Sequence, residues 1–142
     1  MLVDTILQTK GSSVYTLRES DTLADAVLLL NTHNIGAAVI TGPGDTVIGI
    51  LSERDIVRQL GKNPADALSR TIGSCMTRAV VTCERLTTID DIMERMTRRR
   101  IRHVPVVEDG KLVGIVSIGD VVKHKIEEVE HEAEALREYI AS

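Results

Sequence analysis

Two short segments hold the side chains best placed for chemistry. Ser52-Glu53-Arg54-Asp55 and Ser117-Ile118-Gly119-Asp120 each put an aspartate three residues after a serine. Each follows an apolar run, Gly49-Ile50-Leu51 in one case and Gly114-Ile115-Val116 in the other. Ser-x-x-Asp after a strand-like run is a helix-start pattern, with the serine at the N-cap and the aspartate bonding back from near N3. The same carboxylate has two oxygens that can accept charge-assisted hydrogen bonds from a vicinal diol. The two roles are compatible. A second, cationic group comprises Arg98, Arg99, Arg100, Arg102 and His103. Such a run is either a solvated helix end or a set of guanidinium forks that match phosphate geometry. Arg54, beside Asp55, is open to the same two readings.

Other chemistries find no footing. Cys75, Cys83, His33, His103, His124 and His131 show no metal-ligand spacing. P-loop, GxGxxG and GxSxG patterns are missing, and no set of nucleophile, base and oxyanion donors can be assembled, so a non-catalytic protein without a catalytic cofactor is expected. The two cysteines form no disulfide framework, and Cys75 is expected to be a buried, inert thiol. Aromatic residues make up 1% of the chain, which removes the stacking platforms of single-strand binders, and a net charge of -4 argues against nucleic acid. The first residues, MLVDTILQTKG, lack a signal-peptide pattern, and no run approaches the roughly 18 apolar residues of a membrane span. A cytoplasmic location is expected.

The elements that must position these residues come as a duplication. A shift of 66 residues places Thr16 on Thr82, Thr22-Leu23 on Thr88-Ile89, Asp25 on Asp91 and Ile35 on Ile101. The same shift aligns Thr5-Ile6 with Thr71-Ile72. After one extra residue in the first hairpin turn the shift is 65, and Ser52 and Asp55 fall on Ser117 and Asp120. Each half reads as a short leading helix or turn (3–8; 68–76) and a short strand (14–17; 80–83). A helix, two hairpin strands and a closing helix follow. The helix faces are Leu23, Ala26, Val27, Leu30 and Ile89, Ile92, Met93, Met96, at i, i+3, i+4, i+7. Asp109-Gly110 between two apolar runs predicts a tight hairpin. Neither half alone can bury its sheet face, so an α+β fold of two β-α-β-β-α motifs related by pseudo-two-fold symmetry is expected. The boundaries are 1–62 for the first motif, 63–125 for the second and 126–142 for an acidic C-terminal amphipathic helix. In that tail Val122, Ile126, Val129, Ala133, Leu136 and Ile140 recur in steps of four and three, a heptad seam. It either packs on its own domain or mediates dimerisation.

Two copies of β-α-β-β-α closed by G-I-[LV]-S-x-x-D resemble a tandem pair of cystathionine β-synthase (CBS) domains, the Bateman module. GILSERDIV, GIVSIGDVV and IRHVPVVEDGKLVG carry the resemblance, which covers residues 3 to about 125. It implies a regulatory, energy-sensing module that binds an adenine nucleotide (AMP, ADP or ATP, or NAD(H)) in the cleft between the motifs, one site per motif, and signals to a partner protein. It also implies pairing of two modules, hence a homodimer. A ligand-independent dimeric scaffold is the alternative. On this resemblance Asp55 and Asp120 hold ribose hydroxyls, and Arg102 and His103 approach phosphate. The second motif's site comprises Val80, Thr82, Arg102, His103, Val104, Pro105, Ser117 and Asp120. The first comprises Val14, Thr16, Ile35, Gly36, Ala37, Ala38, Ser52, Arg54 and Asp55. Gly36 and Ala37 stand where the second motif has Arg102 and His103, so the first site is expected to be weaker, to borrow charge, or to stay empty.

Overall fold

A computed structural model, describing residues 1–142, resolves the periodic segments into five helices and five strands. In chain order these are α1 (Val3–Lys10), β1 (Thr16–Leu17), α2 (Leu23–His33), β2 (Ala37–Thr41), β3 (Val47–Ser52), α3 (Glu53–Lys62), α4 (Ile89–Arg99), β4 (His103–Glu108), β5 (Lys111–Ser117) and α5 (Ile118–Ala141). Two 3-10 turns, Ala67–Ser69 and Ile72–Ser74, occupy the stretch 68–76 where a helix or turn is expected. The fold class is α+β, as the duplication predicts.

The chain divides into two compact units. One consists of Ser13–Val81 with Val107–Val113, and the other of Met1–Ser12, Thr82–Val106 and Gly114–Ser142. In the first, β1 runs parallel to β2 and β2 antiparallel to β3, with Thr16 opposite Val39 and Ala37 opposite Ser52. Leu23, Ala26 and Leu30 of α2 bury against Ala38, Ile40 and Leu51 of the sheet, with Ile56, Ile72 and Met76. Each aliphatic side chain removed from water in this way contributes roughly 1.5–3 kcal/mol. Thr22 caps α2 in a reciprocal capping box with Asp25, and Asn34 closes it in the left-handed conformation.

The other unit repeats the plan with local departures. Thr88 caps α4 through the Asp91 N–H, but the Asp91 carboxylate bonds Arg95 Nη2 at 3.0 Å rather than the Thr88 backbone. The strand expected over 80–83 shrinks to a single parallel bridge, Cys83 to Val106. The reason is Pro105, which stands where the first copy has Val39 and has no N–H to extend the ladder. Asp109 and Gly110 take φ values of 51° and 77°, the positive pair that a two-residue hairpin requires. The acidic tail is not a separate element, because α5 runs unbroken for 24 residues from the turn that carries Ser117. Its first half is tied down by Lys125 to Asp90 at 2.9 Å and by Glu128 to the N-terminal amine at 3.1 Å.

The leading segments are registered differently from the body of the repeat. Val3 and Asp4 donate their N–H groups to the Thr87 and Arg85 carbonyls, as Ile72 and Gly73 do to Asp21 and Glu19. Likewise Ile89 N–H meets the Met1 carbonyl and Leu23 N–H meets that of Arg70. Residues 1, 3 and 4 thus do in one unit what 70, 72 and 73 do in the other, an offset of 69. The sequence match of Thr5-Ile6 with Thr71-Ile72 at a shift of 66 is therefore corrected. Side chains confirm the new offset: Leu7 covers Gly114 and Met76 covers Gly49.

Candidate functional site

In the first unit the site is built where β3 ends. Extended φ/ψ at Ser52 lets its Oγ accept the Asp55 N–H, and Asp55 Oδ2 accepts the Ser52 N–H at 2.9 Å and Ser52 Oγ–H at 3.1 Å. The capping reading of this motif is correct, and it fixes the carboxylate to one rotamer family. Strand register sets Ala37 opposite Ser52, and the Glu53 N–H donates to the Gly36 carbonyl at 3.0 Å. Gly36, Ala37, Ser52 and Asp55 are thus brought together. Ile35 is half-buried against the core, whereas Ala38 lies inside it. Thr16, on β1, sits one strand away and is exposed; Val14 is half-buried and Arg54 exposed. The Asp55 side chain is 12% exposed, with Arg58 Nη1 3.7 Å from Oδ1.

In the second unit Ser117 and Asp120 repeat the box, with Asp120 Oδ2 2.9 Å from the Ser117 N–H and Ser117 Oγ 3.2 Å from the Asp120 N–H. The Ile118 N–H donates to the Arg102 carbonyl at 2.8 Å, which pins residue 102 beside the helix start as Gly36 is pinned in the other unit. His103 opens β4 and is half-buried; Arg102 is exposed. Val104 and Pro105 are buried, and Thr82 is half-buried. Thr82 is held through its carbonyl by Arg95 Nη1 at 3.0 Å. Val80, also half-buried, belongs to the first compact unit. Of the remaining cluster, Arg98 is engaged with Glu94 one turn earlier, Arg100 ends α4 in the left-handed conformation, and Arg99 is exposed.

Two contacts had no sequence signal at all. Lys10, at the end of α1, places Nζ 2.7 Å from Asp120 Oδ2 and 3.1 Å from the Ile115 carbonyl. Burial alone would push the Asp120 carboxyl up, but the Lys10 ammonium and the Ser117 N–H outweigh it and hold the group below its ordinary range. Below the same turn His124 is buried, with Nδ1 2.9 Å from the Asp120 carbonyl. Neither cysteine joins the site. Cys83 is the buried one, its thiol pushed up to about 12 by loss of solvent, while Cys75 is only half-buried, correcting the expectation for it. No cluster of His, Cys, Asp or Glu is arranged to hold a metal ion.

A family model for the CBS domain matches residues 8–62 and again 72–127. The chain belongs to the CBS-domain family. This CBS pair is 34% identical, over 97% of its length and 71% of the relative's, to the CBS domain-containing protein CBSX3, mitochondrial, of Arabidopsis thaliana. Among solved structures it resembles the CBS-domain containing protein ATU1752 from Agrobacterium tumefaciens (42% identity, TM-score 0.84, covering 87% of this chain and 92% of that one). It also resembles the CBS domain pair of protein MJ0100 in complex with 5′-methylthioadenosine and S-adenosyl-L-methionine (29% identity, TM-score 0.77, covering 90% and 98%). CBS pairs of this kind are typically regulatory, ligand-binding modules and are generally non-catalytic. No helix of the chain is long and apolar enough to cross a membrane.

Proposed function

We propose that this CBS pair is a regulatory sensor of adenosine compounds, with AMP, ADP, ATP or NAD(H) as its ligand and a separate protein as its listener. The single observation that carries the reading is the repeated turn at Asp55 and Asp120. In both copies the backbone and serine fix the carboxylate, while the next strand's start (Gly36 or Arg102) is hydrogen-bonded to the same helix. A preorganised carboxylate of this kind suits the two hydroxyls of a ribose, and charge-assisted bonds are the strong ones. The adenosine compounds on the related MJ0100 pair support the ligand class. Arg102 and His103 are the proposed phosphate contacts in the second repeat, with Val104 and Pro105 beside the base. Val14, Thr16, Ile35 and Ala38 are the proposed base contacts in the first, where Arg54 is the proposed cation.

The test is thermal unfolding with AMP, ADP, ATP, NADH and S-adenosylmethionine, on wild type and Asp120→Asn. Ligand at 100 times its Kd adds about 2.7 kcal/mol of stability. One compound should raise Tm in the wild type and lose effect in the variant. No shift with any compound would remove the sensor reading. The exposed seam of α5, with Ile126 and Leu136 more than half exposed, favours a homodimer built partly on that helix. It is also the observation that keeps a ligand-independent scaffold as the second reading.

A further inference from the structure

The two repeats carry matched caps but unmatched counter-ions. In one unit Ile50 exchanges two backbone hydrogen bonds with Thr77, each 3.0 Å. Ile115 is its counterpart in the other unit, and its carbonyl accepts from Lys10 Nζ, the ammonium that also lies on Asp120. By the offset of 69 residues, Lys10 occupies the position that Ala79 holds in the first unit. Asp55 is faced only by the more distant Arg58, whose side chain is 64% exposed.

We propose that Lys10 makes the second repeat's site prefer phosphorylated, anionic adenosine compounds over neutral or cationic ones. The inference rests on the nucleotide reading above. Asp120 Oδ2 already accepts both the Ser117 N–H and the Lys10 ammonium. A ribose diol that engages the carboxylate must therefore share it with the ammonium or displace it. Lysine carries its charge on a flexible four-carbon stem, and this one is about one-third exposed, so it has room to swing. A displaced ammonium needs another anion close by. A 5′-phosphate on the same ligand supplies that anion and restores a charge-assisted bond. A neutral 5′-substituent supplies nothing, and a sulfonium sets a like charge against the lysine. The selection comes from the leading helix, outside the strand and arginine cluster that would otherwise be credited with it.

The experiment is titration calorimetry of ADP, 5′-methylthioadenosine and S-adenosylmethionine against wild type, Lys10→Gln, Lys10→Arg and Asp120→Asn, each checked by circular dichroism. The first repeat's site is common to wild type and both Lys10 variants, so differences among these report on the second. Wild type should favour ADP. Lys10→Gln should reduce the preference for ADP over S-adenosylmethionine by about tenfold, the value of one such charge contact. Lys10→Arg should keep it. If Lys10→Gln changes all three affinities by one factor, or none of them, the lysine is a structural tie and the inference is overturned while nucleotide binding stands. If no compound binds wild type, or Asp120→Asn leaves every affinity unchanged, the nucleotide reading of the second repeat fails and the inference with it.

Discussion

Gly114→Ala tests how closely helix α1 is fitted to the repeat it completes. A Cβ built on Gly114 falls 2.7 Å from Leu7 Cδ2 and 3.0 Å from Cδ1, well inside the roughly 3.5–4.0 Å at which carbon atoms rest. Leu7 is 3% exposed, so it has no solvent side to turn toward. Its helix is anchored by the Val3 and Asp4 N–H groups, which resist a shift of the whole element. Overpacking by one methyl costs about 1–3 kcal/mol. Replacing a strand glycine returns roughly 0.5–1 kcal/mol of backbone entropy, which leaves a net loss of up to about 2.5 kcal/mol. With an unfolding entropy of about 0.3 kcal/mol/K for a chain of this length, Tm should fall by up to about 8 °C. Thermal and urea unfolding, followed by circular dichroism, measure the loss. The decisive arm is the double-mutant cycle with Leu7→Ala, a change that alone leaves a cavity costing about 2–5 kcal/mol. The added methyl should partly fill that cavity, so the double variant should be more stable than the sum of the singles by at least about 1 kcal/mol. Additivity to within about 0.5 kcal/mol would refute the reasoning, because it would mean the two side chains do not meet. Gly49→Ala should cost less although its Cβ would meet the Met76 sulfur and the carbons on either side of it, because that unbranched side chain can rotate away.

Three further outcomes are expected. Asp120 has a folded-state pKa lowered from 3.8, so its contribution to stability is complete above that value and is lost as pH falls through the lower folded value. Urea unfolding between pH 6 and pH 2 (about the range in which carboxylates titrate) should therefore show a shallower acid loss for Asp120→Asn than for wild type, and parallel curves would count against the Lys10 contact. With Cys83 at about 12, only about one thiolate in ten thousand is present at pH 8, so iodoacetamide should label Cys75 in the native protein and Cys83 only after unfolding. Equal labelling of both, read by mass spectrometry, would contradict the burial of Cys83. Val129→Glu with Leu136→Glu should convert a dimer to monomer in analytical ultracentrifugation, whereas an unchanged mass would take α5 out of the interface.

Local features were legible in the sequence because the physics behind them is local. Asp109-Gly110 predicted the hairpin through the φ values a short turn needs, and Ser52 and Ser117 predicted helix starts through the carboxylate three residues on. The inward faces of α2 and α4 followed from spacing, with Leu23, Ala26 and Leu30, and Ile89, Ile92 and Met96, all buried. What escaped depends on partners distant in the chain. The register of the leading segment is hidden because the identity of Thr5-Ile6 with Thr71-Ile72 suggests one shift, while hydrogen bonds to residues more than 80 positions away set another. The strand over 80–83 is missing because Pro105, on a different element, lacks the donor that its ladder needs. Lys10 gave no sign, since a single lysine ending an amphipathic helix is ordinary until its ammonium is seen 2.7 Å from Asp120.

The position of α1 gives the chain a particular order of assembly on the ribosome. Its partners are the loop at 85–89 and the strand and helix start at 114–120, so α1 leaves the ribosome well ahead of the segments it packs on and is late to find its place. Lys10 must wait 110 residues for Asp120, which at about 5–20 residues per second is roughly 5–20 s of exposure. Residues 13–81 meanwhile supply nearly all of their own unit. A nascent chain halted midway would therefore carry one unit close to its native state and a loose leading helix with Val3, Ile6 and Leu7 still uncovered. During those seconds that helix is the part a chaperone would meet, and slowing translation would lengthen the encounter.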